Sequence, residues 1–132
     1  MTTKKKRLAR VQMVSREIQV ENEANIHGIS SRRIALFAHE LQDEYGIKTT
    51  ITDEDYGETV DATNDGEILA LGIENEDWVT VTVAGRHPKR KLETLTHIWD
   101  DILKDSMVLE GGKDLTEYSK QVKQLFTPMR GK

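Results

Sequence analysis

The 132-residue chain contains no cysteine, which excludes disulfides, thiolate nucleophiles and cysteine metal sites and fits a reducing compartment such as the cytoplasm. It also has no apolar run near the roughly 20 residues a membrane helix needs, and no apolar core follows the charges at the N-terminus as in a secretory signal. Aromatic residues make up 5%, and none is interleaved with the basic run Lys4-Lys5-Lys6-Arg7 and Arg10. With a net charge of -4, this argues against nucleic acid as a general partner and for a solvated basic arm. No internal repeat is present, and no low-complexity block beyond that arm. What remains, 36% hydrophobic and 32% charged, suits one soluble folded domain with extensions.

Periodicity divides the chain into elements. Val11 to Val20 reads as a first strand, and Glu21 to Gly28 as a polar turn. Ile34, Phe37, Ala38, Leu41 and Tyr45 fall at three- and four-residue steps, which predicts a helix over 31–45 ended by Gly46. Ile47 to Thr52 and Glu58 to Ala62 form a predicted hairpin around the acidic turn Asp53 to Gly57. Asn64-Asp65-Gly66 opens one or two helical turns bounded by Gly72. Trp78 to Ala84 alternates strictly and is the clearest strand. Pro88 precedes a helix with Leu92, Leu95, Ile98, Trp99, Ile102 and Leu103 on one side. Glu110-Gly111-Gly112 reads as a linker before a tail helix striped by Leu115, Tyr118, Val122, Leu125 and Phe126, with Pro128 as its stop. The order β-α-β-β-α-β-α plus a C-terminal helix predicts an α+β fold, with helices on one face of a mainly antiparallel sheet.

The chemically equipped stretch is Asn25 to Phe37. Ser30 and Ser31 are good N-cap types, and a helix N-terminus presents free N–H groups and partial positive charge to an anion. Arg32 and Arg33 add cationic donors, and His27 upstream is a possible nucleophile. Against this stand plainer readings: a loop histidine, capping serines, solvated arginines. His39, His87 and His97 lack metal-ligand spacing, so no metal site is assigned and no cofactor is implied. Asp53, Glu54 and Asp55 read as a solvated turn.

Three segments, Tyr56-Gly57-Glu58-Thr59-Val60-Asp61-Ala62, Ile68-Leu69-Ala70-Leu71-Gly72 and Val79-Thr80-Val81-Thr82-Val83-Ala84-Gly85, stand at a spacing that resembles the HPr family, the histidine phosphocarriers of the bacterial sugar phosphotransferase system. The resemblance covers about Met13 to Leu103 and implies an open-faced sandwich, a four-stranded antiparallel sheet covered by three helices. It divides the chain into a basic arm (1–10), an HPr-like domain (11–105) and a linker with a C-terminal amphipathic helix (106–132).

The family carries Ile/Leu-His-Ala-Arg-Pro at the start of its first helix, the histidine phosphorylated and the arginine helping to hold the phosphate. Counted forward from the first strand, the histidine position is His27, after Ile26; counted back from the helix it is Ser30, with Arg32 as the arginine. The counts differ by three residues, which predicts an insertion in the loop Gly28-Ile29-Ser30. The proline has no counterpart, and Arg33 takes its place in the second count. The phosphate-binding set is then Ser31, Arg32 and Arg33. The family's regulatory serine corresponds to Asn64, and its exposed apolar docking pair to Asp65 and Gly66, so serine-phosphorylation control is expected to be absent.

The resemblance therefore implies a cytoplasmic, bacterial-type protein phosphocarrier or regulatory module rather than a metabolite enzyme. A divergent regulatory, partner-binding or residually active form is favoured, with Ser30 as the alternative occupant of the histidine position; active carriage on His27 is the other reading. Partners would be phosphotransferase components or a regulator, with no membrane insertion, and with self-association through 114–126 open.

Overall fold

The computed structural model describes residues 10–21 and 25–126. The basic run before Arg10, the turn residues 22–24 and the stop at Pro128 lie outside them. The elements are β1 (Gln12–Gln19), α1 (Gly28–Tyr45), β2 (Lys48–Asp53), β3 (Thr59–Asp61), α2 (Asp65–Ala70), β4 (Trp78–Gly85), α3 (Lys89–Leu103), α4 (Ser106–Leu109) and α5 (Thr116–Leu125). The strands form one antiparallel sheet in the order β1-β4-β2-β3. This is the α+β, HPr-like arrangement with an added C-terminal helix.

The period-2 pattern of β4 decides which face is covered. Val79, Val81 and Val83 are buried beneath the helices with Ile18 of β1 and Ile51 of β2. The opposite, open face is paired across strands by hydroxyls, Ser15 to Thr82 and Thr52 to Thr59, each at 2.7 Å. Arg16, on the covered side of the edge strand β1, reaches α3: its Nε donates to Thr96 Oγ1 at 3.0 Å, and its Nη2 meets His97 Nε2 at 2.6 Å. A charged side chain held there also discourages another strand from adding to the edge.

Helix α1 ends at Gly46, whose φ of 67° is the left-handed conformation that glycine adopts without steric cost, and whose N–H closes on Gln42 O at 3.1 Å. Its buried stripe, Ile34, Phe37, Ala38 and Leu41, enters the same core as Trp99 and Ile102 of α3, and the Phe37 ring meets Trp99 edge-on.

Two expectations change in the C-terminal segment. The stretch read as a linker holds the short helix α4, capped by Asp105, and Val108 and Leu109 are fully buried in the common core. The tail stripe, for which packing is the plainer reading and self-association the open one, packs inside the chain: Tyr118, Val122 and Phe126 are buried, and the Phe126 ring packs on Tyr45 at 5.8 Å and His87 at 4.8 Å.

Asp105 ties this segment together. Its Oδ1 accepts the Val108 N–H at 3.2 Å, its Oδ2 accepts the Tyr118 hydroxyl at 2.7 Å, and Lys113 Nζ lies 3.5 Å from Oδ2. Burial pushes the carboxyl up, but the Tyr118 hydroxyl, the Val108 N–H and Lys113 together hold it below its usual value. Asp105→Asn is therefore expected to cost about 1–3 kcal/mol at pH 7. A depressed folded-state pKa gives stability that is present above the unfolded value, near 3.9, and is lost as pH falls through the folded one. Urea titrations should thus show the gap between parent and variant closing below about pH 4. A gap equally wide at pH 7 and in acid would show that the ionised carboxylate is not what matters.

Candidate functional site

The approach to α1 is fixed from both sides. Asn25 takes a left-handed φ of 64°, and its Oδ1 accepts the Asn75 N–H at 2.8 Å. Ile26 then plugs into the core, its N–H bonded to Ile73 O at 3.0 Å. The chain emerges extended at His27, which is the N-cap of α1 (φ −115°, ψ −166°). The first backbone bond of the helix runs from Ser31 N–H to His27 O at 2.8 Å. The N–H groups of the preceding turn have no intrahelical acceptor, and His27 Nδ1 accepts that of Ile29 at 3.2 Å. A nitrogen that accepts must carry its lone pair, so in the neutral ring the proton sits on Nε2. Nδ1 therefore faces the positive end of the helix, on a half-buried side chain.

The capping assignment is corrected. Ser30 and Ser31, read as the cap, lie inside the helix, and the cap is His27. Ser30 completes it from within: its Oγ accepts the His27 N–H at 2.7 Å and donates to His27 O at 3.1 Å. Ser31 Oγ donates to Gly28 O at 3.1 Å. Both serines are buried, with their hydroxyls committed to the backbone. The expected looped insertion is also corrected, since Gly28, Ile29 and Ser30 form the first turn of α1. The three-residue difference between the two counts is absorbed by helix.

The arginines diverge. Arg32 leans toward α2, its Nε 3.9 Å from Asp65 Oδ2 in a well-exposed pair worth at most about 1 kcal/mol. Arg33 turns the other way, toward the bend after α4 at Gly111. At the start of α2, Asn64 Oδ1 accepts the Glu67 N–H at 3.0 Å, so this side chain is a helix cap without a hydroxyl.

Residues 14–101 match the family model described as the PTS HPr component phosphorylation site, two thirds of the chain. The chain belongs to the HPr family. It is therefore of the phosphocarrier type of the phosphotransferase system, the class whose proteins work with other phosphotransferase proteins. Among solved structures it is similar to one titled "Crystal Structure of a Phosphocarrier Protein HPr from Bacillus anthracis str. Ames", at 29% identity over 63% of this chain and 92% of that one, with a TM-score of 0.45. No curated protein matches. Helices α4 and α5 lie outside the matched residues. No helix among the described residues is long and apolar enough to cross a membrane.

Set on the HPr pattern with His27 as the histidine, the arginine and proline positions become Ile29 and Ser30. The approach of the Ile29 and Arg33 side chains to Gly111 is not legible in the sequence. The only signal was the glycine pair itself, which equally suits a linker.

Proposed function

We propose that this HPr-family chain is an active protein phosphocarrier, with His27 Nδ1 as the acceptor. The observation that carries this reading is the N-cap geometry: the lone pair of Nδ1 is directed at the unpaired N–H groups of α1, with Ile29 N–H at 3.2 Å. In the transfer, Nδ1 attacks the phosphorus of a phosphorylated donor protein. The donor's bond to phosphorus breaks, its electron pair stays with the donor, and an N–P bond forms at His27. The Nε2 proton then passes to the departing donor or to solvent. The Ile29 N–H exchanges the lost lone pair for a phosphoryl oxygen, and the helix end favours the new negative charge by about 0.3–2 kcal/mol.

The place of His27 supports this reading over the regulatory one favoured from sequence alone: His27 stands at the helix entrance as the N-cap, while Ser30 lies inside the helix with its hydroxyl bonded to the His27 backbone. Arg33 is the better candidate of the two arginines for holding the phosphate, because Arg32 is drawn to Asp65. Asn64 supplies no hydroxyl for serine-type control. The setting that fits is the bacterial cytoplasm, with phosphotransferase components as partners.

The test is incubation of the full chain with phosphoenolpyruvate and the first enzyme of the phosphotransferase chain. An acid-labile, alkali-stable phosphate is expected on the protein. If none forms, carriage from that donor is wrong and the regulatory reading takes its place.

A further inference from the structure

The HPr family places its phosphate-holding arginine two residues after the histidine, and here that position is Ile29. Arg33 lies four residues further on, hence on the same face of α1 one turn later. Helical side chains lean back toward the N-terminus, so a long side chain at 33 can return toward the level of Ile29.

The bend after α4 shows that it does so. A Cβ placed on Gly111 would lie 3.3 Å from Ile29 Cγ2 and 3.8 Å from Arg33 Nη2, so both side chains rest against this one backbone position. Gly111 has φ +86°, a conformation available to glycine and strained for other residues. The bend is held by its own bonds: Gly111 N–H to Val108 O at 3.1 Å, and the N–H groups of Gly112 and Lys113 to Met107 O at 2.8 and 3.1 Å. Asp114, whose Oδ1 accepts the Thr116 N–H at 3.0 Å where α5 begins, shares with Arg33 the lining of a cavity of about 430 Å³ between α1 and α5. The Thr116 N–H and hydroxyl, and after them the Arg33 guanidinium, hold the Asp114 carboxyl below its usual value.

We propose that the bend between α4 and α5, outside the family match, is part of the phosphoryl site: Gly111 seats Arg33 against Ile29, and the Arg33 guanidinium holds the phosphoryl group on His27. This rests on the phosphocarrier reading. Arg33 would contact the transferred group, while Gly111 is a positioning residue acting through Arg33. Burial of Val108 and Leu109 anchors the bend to the core, so the segment added beyond the family match supplies what the change at position 29 removed.

The experiment uses the full chain phosphorylated by phosphoramidate, a small chemical donor that needs no partner protein. The phosphohistidine resonance is followed by phosphorus NMR across pH. A guanidinium beside the phosphohistidine favours the phosphoryl dianion and disfavours protonation of the ring, so Arg33→Gln should raise the apparent pKa of the phosphohistidine by about 0.5–1 unit. Arg33→Lys should restore part of that shift, and Arg32→Gln should give none. Gly111→Ala should raise the value part-way in the parent and add nothing in the Arg33→Gln background, a coupling that general destabilisation would not produce. Should Gly111→Ala fail to fold, the arginine variants decide the matter alone. An unchanged titration in Arg33→Gln overturns the proposal, as does a Gly111→Ala shift of equal size with and without Arg33. Failure of the parent to form phosphohistidine at His27 would instead overturn the carrier reading itself.

Discussion

Replacing His27 by alanine is expected to lower phosphoryl transfer from the first enzyme by at least about a thousandfold, to the limit of detection, with the fold retained. Among the described residues, no other side chain at the helix entrance is equipped to take over. Ser30 and Ser31 are buried and spend their hydroxyls on His27 and Gly28 backbone groups. The structural cost is modest because half of the capping arrangement belongs to Ser30. Its Oγ accepts the backbone N–H of residue 27, which alanine keeps. Losing the Nδ1 acceptor for Ile29 N–H should cost about 0.5–2 kcal/mol, as for other cap removals. Thermal unfolding followed by circular dichroism separates the two effects. A variant that still takes up acid-labile phosphate at a tenth of the parental rate would move the acceptor elsewhere.

The largest loss of stability is expected at Trp99. Its side chain is fully buried on α3 and meets Phe37 of α1 edge-on, with ring centroids 5.0 Å apart and planes at 85°. Truncation to alanine removes this contact and leaves a cavity where α3 braces the helix that carries His27. Such substitutions cost about 3–5 kcal/mol. With a urea m-value of roughly 1–3 kcal/mol per molar, the unfolding midpoint should fall by more than about 1 M. Trp99→Phe should cost less than half as much, because the indole Nε1 has no hydrogen-bond partner among the described residues and its removal orphans no acceptor there. A loss below about 1 kcal/mol for the alanine variant would mean that the site collapses and repacks.

Strong local patterns made much of this fold legible. The alternation from Trp78 to Ala84 is the central strand β4, extended by one residue to Gly85, and Gly46 stops α1 where its sequence position suggests. The hairpin around Asp53 to Gly57 follows from its turn residues: the Asp53 O accepts the Gly57 N–H at 2.7 Å. Short elements were not legible. Ser106 to Leu109 spans barely one turn, too short to show a period, and its helicity depends on the Asp105 cap and on burial of Val108 and Leu109. The strand order β1-β4-β2-β3 is set by long-range pairing and has no local signal in the sequence.

The start of α1 was misplaced for a specific reason. Serine outranks histidine as a cap type, so two serines beside an apolar stripe outweighed His27. The structure resolves this by using His27 and Ser30 together: Ser30 Oγ accepts the His27 N–H, and His27 Nδ1 accepts the Ile29 N–H. Three residues that looked like an inserted loop thereby became a helical turn. The proximity of Arg33 to Gly111 could not be read at all, because 78 positions of sequence separate residues that packing places side by side.

The most direct test of the whole account is which atom carries the phosphoryl group. Long-range proton–nitrogen correlation NMR on the full chain, labelled with ¹⁵N and phosphorylated through phosphoenolpyruvate and the first enzyme, reports both ring nitrogens of each histidine. The expected result is phosphorylation of His27 at Nδ1, with the Ile29 amide shifted as it changes acceptor. Phosphate on Nε2, on another histidine or on Ser30 would contradict a carrier built on the lone pair that His27 turns toward its own helix.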